Sequence, residues 1–403
     1  MRYVYKGINM ESRKAIKGSI EADDEREAKL LLRNRKINVT DIKRDWKSIE
    51  IKFRREKIKV YDTAVASRQL AAMISAGLPL ARALDILAGQ VTNRKLRKVF
   101  RDVSEDIAGG SSFYEALNKY KEHFGDLYIS MIRSGEESGA LDDILNRLAL
   151  YQEKSVALRR KVKGALAYPI TIIIFAAIIL AIIMVFVVPK LAEVYESLGG
   201  ELPVMTQITI NVSNFVASPT GGGIILLSVI LLVMIIRLLY KRTVRGRYFF
   251  DFLLLKLPKF GDLVNKLSIA RFSRSMSTLL RGGVPILRAI DITASNSGNK
   301  VVEKYILNTK ADIEEGRTLA EPMRQIKLFP SMVVEMVRVG EETGNLDDMM
   351  DKVADYYEDE VDRAVEAVTS MILPVFIFFL GGIIGFIVIS LYLPIFKMGE
   401  LVR

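Results

Sequence analysis

The sequence predicts an all-α membrane protein: two duplicated cytoplasmic bundles of about six helices, three transmembrane helices and a small N-terminal α/β unit. Three observations carry that expectation. Residues 161–190 hold a basic cluster, then Tyr168-Pro169, then an uncharged apolar run closed by Pro189. From Gly164 to Pro189 that run is long enough to cross a hydrocarbon core of about 30 Å as a helix rising about 1.5 Å per residue. The same pattern returns 205 residues later, with Pro374 and Pro394 where Pro169 and Pro189 stand. Finally, half of the 403 residues are hydrophobic while 26% are charged, so large polar portions must be attached to a few spans.

Composition also excludes chemistry. There is no cysteine and a single histidine, His123, which sits in the charged stretch 119–123 and reads as a solvated side chain. Thiol catalysis, Cys/His zinc sites and a Ser-His-Asp triad are therefore disfavoured, and no catalytic, cofactor-binding or metal-ligating set is expected. The formal charge of +11 could suit nucleic acid, but the basic residues crowd beside the spans, where anionic membrane lipid accounts for them better.

In chain order, residues 1–46 read as the α/β unit. Strands are expected at 3–6, 16–20 and 37–42, and a helix over 23–34 with Ala28, Leu31 and Leu32 at helical spacing. Arg2 and Lys6 are not followed by an apolar core, so the N-terminus is expected to stay in the cytoplasm. Residues 47–60 form a basic linker that could lie on a membrane surface or act as a solvated tether. From 61 to 163 the pattern is helical; its last helix carries Leu141, Ile144, Leu145, Leu148 and Tyr151 on one stripe. Breaks fall at Gly77-Leu78-Pro79, at 109–112 and at 135–139.

The first span is assigned to 164–189. Residues 190–220 form an outer loop with an interfacial helix, in which Met205, Ile208, Val212 and Phe215 share a side. The second span covers 221–240, interrupted only by Arg237, which is near enough to the end to snorkel. A basic cytoplasmic connection follows over 241–264. Positive charge on the flanks of both spans places these sides in the cytoplasm. The second bundle spans 265–366, the third span 367–396 and an outer tail 397–403. Where the first stem has Arg159, Arg160, Lys161 and Lys163, the second has Ala364, Val365, Glu366 and Val368, so the two copies are expected to meet different partners.

The duplication is explicit. Gly77 and Pro79 match Gly283 and Pro285, and the string from Arg133 to Asp143, with Gly135, Glu136 and Gly139, matches that from Arg338 to Asp348, with Gly340, Glu341 and Gly344. A helical block with Gly-x-Pro early, Arg-x-Gly-Glu-x-(Ser/Thr)-Gly-x-Leu before its last helix and a proline-bracketed span after it resembles the type II secretion F family, the inner-membrane platform proteins of type II secretion systems and type IV pili. The resemblance covers nearly the whole chain, including Gly18-Ser19-Ile20-Glu21-Ala22 in the leader unit. It implies a non-enzymatic, homo-oligomeric platform that couples a cytoplasmic secretion ATPase to assembly of pilin or pseudopilin subunits and docks other inner-membrane components. Leu373 stands where Tyr168 does, so a role for that tyrosine would belong to one half only.

Two readings of the repeated motif stand open. Glu136 and Glu341, on a glycine-bounded turn before Asp142-Asp143 and Asp347-Asp348, could present an acidic corner to a partner's basic groups. Alternatively the glycines make a tight helix-helix turn and the acids meet a helix N-terminus, worth about 0.3–1 kcal/mol each. In the spans, Gly381-x-x-x-Gly385 allows close helix packing, either among the protein's own helices or against a pilin's transmembrane helix. A transporter would place ionisable groups at mid-membrane, and a phosphoryl enzyme would need a Gly-x-x-x-x-Gly-Lys-(Ser/Thr) loop; neither is present. A membrane-anchored receptor or signalling adaptor is the alternative from another class.

Overall fold

A computed structural model describes residues 2–10, 15–21, 25–34, 37–44, 57–197 and 203–401. Most of the expected 47–60 linker lies outside the described residues. Two compact units divide the chain near residue 57.

The N-terminal unit is a three-stranded antiparallel sheet of β1 (Arg2–Asn9), β2 (Ala15–Glu21) and β3 (Ile37–Arg44) in the order β2-β1-β3, with α1 (Glu25–Asn34) before the last strand. Alternation puts Tyr3, Tyr5, Ile20 and Ile37 on the face that meets Ala28 and Leu32. Leu31, one position off that face, is exposed.

The second unit holds the rest. Its first bundle comprises α2 (Val60–Ser75), α3 (Leu80–Gln90), α4 (Arg94–Ala108), α5 (Phe113–Asn118), the single turn α6 (Lys121–Phe124), α7 (Asp126–Ser138) and the start of α8 (Leu141–Ile182). After α8 come a π-helical turn at Ile183–Val187, α9 (Val188–Ser197), α10 (Val204–Ala217), α11 (Pro219–Arg242) and α12 (Val244–Lys256). The second bundle is α13 (Phe260–Arg281), α14 (Ile286–Asn296), α15 (Lys300–Glu314), α16 (Ala320–Gln325), α17 (Ser331–Thr343) and the start of α18 (Leu346–Leu401).

Among the described residues three helices are long and apolar enough to cross a membrane: α8 with its continuation, α11, and α18. The first and third do not begin at the membrane. Each runs unbroken out of its bundle, and α18 alone holds 56 residues, roughly 84 Å at about 1.5 Å per residue. Pro169, Pro374 and Pro394 lie inside helices, each removing one backbone donor without ending the rod. The segment expected as an outer tail is helical as far as Leu401.

The bundles share one apolar core. Leu84, Leu117, Met131 and Leu145 of the first are continuous with Phe272, Met276, Val333 and Val353 of the second. Polar contacts cross the same seam: the Ser134 hydroxyl donates to the Gly282 carbonyl at 2.5 Å, and Tyr151 pairs with Ser275 at 3.2 Å. The duplicated halves are thus two lobes of one body.

Candidate functional site

The repeated motifs build identical joints. Gly77 (φ +84°) and Gly283 (φ +74°) end α2 and α13 in the left-handed region. In each, the glycine N–H reaches back three residues and the next N–H reaches back five, as Leu78 N to Met73 O and Val284 N to Leu279 O, both 3.0 Å. This Schellman closure satisfies orphan carbonyls, and Pro79 or Pro285 then starts the next helix. Gly139 and Gly344 close α7 and α17 in the same left-handed conformation.

Gly135, Glu136, Gly340 and Glu341 are not on the turn, as the sequence suggested, but inside the preceding helix. A Cβ on Gly135 would stand 2.7 Å from Ile144 Cγ1, and one on Gly340 2.8 Å from Leu346 Cα, so these glycines let α7 and α17 close against the helices that follow. The carboxylates turn the other way. Glu136 accepts the Phe113 and Tyr114 N–H groups at 2.7 and 2.9 Å, one on each oxygen; Glu341 accepts those of Leu319 and Ala320 at 2.5 and 3.0 Å. In the first lobe the Ser112–Glu115 capping box takes the adjacent donors, so all four leading N–H groups of α5 are satisfied. The helix end each glutamate meets belongs to a distant segment, not to the helix that follows.

The acidic residues after the motif differ between lobes. Asp347, Asp348 and Asp351 surround Arg281. In the first lobe Ser75 stands in the place of Arg281 and bonds Asn146, while Asp143 pairs with Arg147 at 2.7 Å. A related pair recurs further along the same helices: Arg68 with Glu153, and Arg274 with Glu358 at 2.8 Å, the latter enlarged by Asp351 and Asp355. Burial works against the Arg274 guanidinium, yet its hydrogen bonds to Glu358 and Asp355 outweigh burial and hold its pKa above the usual range. Burial likewise opposes the Asp355 charge, but hydrogen bonds from Lys154 and Arg274 win and its pKa is lowered.

Sequence reasoning missed what the charge asymmetry is for. The basic stem of α8 and the acidic stem of α18 lie side by side, with Lys154 on Asp355 at 2.8 Å and Lys161 on Asp362 at 2.5 Å. These two stems are partners of each other.

Beyond the stems, α8 and α18 part to leave a cavity of about 320 Å³. Tyr168, Pro169 and Ile172 line one wall, Thr369, Leu373 and Phe376 the other, with Glu366 at its edge. Tyr168 and Leu373, equivalent by the repeat, face one cavity. At the far end, α9, the continuation of α8, meets α18 through Val188, Ile387 and Leu391, together with Ile210 of α10.

There the prolines act. In the π turn the Val188 N–H reaches Ile183 O, so Met184 O would next pair with residue 189, and Pro189 has no N–H. Ser213 of α10 donates to Met184 O instead. In α18, Pro394 leaves Ser390 O without its i+4 donor, and Thr206 of α10 supplies one. Thr209 joins the Ser390 hydroxyl at 2.7 Å. The α10 helix therefore turns its hydroxyls inward and leaves Met205, Ile208, Val212 and Phe215 exposed on the opposite side.

Among the described residues, no side chain and no other helix comes within 4 Å of where a Cβ on Gly381 or Gly385 would stand. Gly381 lines an open apolar groove with Gly382, Phe378, Phe379 and Phe386. The α11 helix packs mainly on its chain neighbours α10 and α12. Among the described residues no group of three or more His, Cys, Asp or Glu side chains is placed to hold a metal ion.

A duplicated helical body continuous with membrane-spanning rods defines a polytopic membrane protein of internally repeated type. Comparison with known proteins is specific. The model of the type II secretion system protein F matches residues 66–189 and again 272–394, and that of its N-terminal domain matches 1–43. The chain is 42% identical over 404 residues to the type IV pilus assembly protein PilC of Thermus thermophilus, covering 98% of each chain. It is 36% identical to PilC of Pseudomonas aeruginosa, covering 91% of this chain and 98% of that one. Against the type II secretion system protein F of Vibrio cholerae it is 30% identical over 99% of this chain and 98% of the other. The chain belongs to the type II secretion system protein F family.

Proposed function

We propose that this chain is the inner-membrane platform of a type IV pilus assembly machine, coupling a cytoplasmic secretion ATPase to the extraction and assembly of pilin subunits. The single observation that carries the reading is mechanical: both lobes share one core, and each ends in a helix that enters the membrane without a joint. A push on the lobes is therefore delivered to the spans. The greater identity to pilus assembly proteins, 42% against 30% for the Vibrio cholerae secretion protein, favours the pilus machine. In this reading the family's role is structural, and the hydrolysing subunit is a separate protein.

The lobes, 61–163 and 265–366, lie in the cytoplasm with the N-terminus; crossings at 164–189, 221–240 and 367–396 leave the C-terminus outside. Basic residues at both ends of the second connection, Arg237, Lys241 and Arg242 among them, support that orientation. The Tyr168–Leu373 cavity is the seat for an apolar partner helix such as a pilin's, and the open Gly381–Gly385 face suits a second copy of the chain. Gentle extraction should co-purify a hexameric ATPase and pilin with the tagged chain. Recovery of the chain with pilin but never with an ATPase, in cells that are assembling pili, would refute the coupling role.

A further inference from the structure

The helix α12 begins one residue after the end of the second membrane helix, with only Thr243 between Arg242 and Val244. The Thr243 hydroxyl donates to Leu239 O at 2.6 Å, closing the end of α11. The first turn of a segment so tethered stays at the level of the membrane edge, since one residue spans less than about 4 Å.

Its orientation is set by a buried carboxylate. Asp251 accepts from the Tyr240 hydroxyl at 3.1 Å and from the Lys300 N–H at 2.8 Å, and Asn299 donates to its carbonyl at 3.3 Å. One residue thus ties the end of α11, the middle of α12 and the first turn of α15.

Opposite Asp251, the face of α12 is exposed and has a distinctive composition. At 100° per residue Arg245, Phe249, Leu253 and Lys256 gather there, flanked by Tyr248 and Phe252. Phe249 is 61% and Leu253 48% exposed. Tyr248 and Phe252 stack, with centroids 6.5 Å apart, and Lys256 Nζ lies 4.6 Å over the Phe252 ring. Aromatic rings between cations are the surface a bilayer boundary takes: rings at the acyl edge, ammonium and guanidinium groups reaching phosphates. Lys241, Arg242 and Lys259 extend the same charge at the two ends of the helix.

We propose that α12 is an interfacial helix, lying in the headgroup layer with Phe249 and Leu253 in the acyl boundary and Arg245 and Lys256 on anionic lipid phosphates. Through Asp251 it fixes the height and tilt of the second lobe on the bilayer. The inference rests on α11 being a membrane crossing, and it does not depend on the pilus assignment.

The test uses the full chain in liposomes containing phosphatidylglycerol, with the single tryptophan removed as Trp46→Phe and a reporter placed as Phe249→Trp or Leu253→Trp. Leu231→Trp in the middle of α11 reports the crossing, and Tyr356→Trp on the second lobe reports water. The expected result is blue-shifted emission from both α12 reporters, with loss of intensity when the lipids are brominated near the carboxyl end of their chains and less when brominated near the methyl end. Quenching of the α12 reporters should fall in purely zwitterionic lipid, and Arg245→Gln with Lys256→Gln should remove that dependence. If Leu231→Trp is quenched by bromolipid while both α12 reporters respond only to aqueous iodide, α12 is in water and the proposal fails. If the α12 reporters answer to neither quencher, the face is covered by protein and the proposal fails in favour of a second copy. A Leu231→Trp reporter that bromolipid does not touch would overturn the crossing itself, and this inference with it.

Discussion

Glu136→Ala is the substitution that separates the two readings of the repeated motif. Its carboxylate holds two backbone N–H groups at 2.7 and 2.9 Å, in a half-buried position. Hydrogen bonds to a charged group are worth about 1.5–3 kcal/mol each, and a helix N-terminus adds about 0.3–1 kcal/mol. Water can reach the vacated site, which favours the low end, so the expected loss is about 3–4 kcal/mol. For a body of some 200 residues that corresponds to a fall in Tm of roughly 5–15 °C. Glu136→Gln keeps one acceptor but turns an amide donor toward the second N–H, and should lose about half as much. Glu341→Ala should behave alike, since its geometry is the same. The control is the adjacent Glu137, which pairs with Arg133 in an exposed position; Glu137→Ala should cost less than about 1 kcal/mol. The assay is thermal unfolding of the detergent-solubilised full chain, alongside pilus assembly in cells. Should Glu136→Ala leave Tm unchanged while abolishing assembly, the carboxylate is a partner contact and the clamp reasoning is wrong.

Three further outcomes follow from the same geometry. Ser67 bonds both Tyr128 and Gln152, whereas its repeat mate Ser273 is buried with no partner among the described residues. Ser67→Ala should therefore destabilise by about 0.5–1.5 kcal/mol and Ser273→Ala should stabilise by about 1 kcal/mol, read by denaturant unfolding. Ser213→Ala and Thr206→Val should each cost about 0.6–2 kcal/mol in bicelles, and Pro189→Ala or Pro394→Ala should shrink the respective loss, because the helix regains its own donor; additive losses would refute the proline argument. On acidification, Asp355 and Glu153 have pKa values below their unfolded ones. For Glu153 the hydrogen bond from Arg68 is the chief cause; for Asp355 the bonds from Lys154 and Arg274 prevail over burial. Their stabilisation is complete above the unfolded carboxylate range near pH 4 and disappears as pH falls through the lower folded values. Tm should thus decline below about pH 4 and decline less in Asp355→Asn; an unchanged slope would contradict the role of these pairs.

Much of the fold was legible because local chemistry dictates it. A glycine two residues before a proline after an apolar stripe can only close one helix and open another, and Gly77 and Gly283 do so with the same hydrogen bonds. That three helices are apolar enough to cross a membrane followed from uncharged runs that nothing but lipid suits. The glutamates were harder. Their neighbours Gly135 and Gly340 look like turn residues, yet they serve tertiary contact with Ile144 and Leu346, so the helix continues and carries each carboxylate to a segment more than 20 residues away. No sequence spacing encodes that pairing. Likewise the basic and acidic stems were visible as charge runs, but that Lys161 finds Asp362 depends on two distant helices lying side by side. On α10 the apolar side was read correctly and its hydroxyl side passed over; Thr206 and Ser213 gain meaning only beside Pro394 and Pro189.

The platform account requires the two lobes to work as one body joined to their spans. The chain has no cysteine, so Lys161→Cys with Asp362→Cys can be bridged by a short reducible bismaleimide without side reactions. Cells in which the stems are quantitatively bridged should still assemble pili. Loss of assembly on bridging, restored when the linker is reduced, would mean that the stems must separate during the cycle, and would contradict a single rigid transmitter.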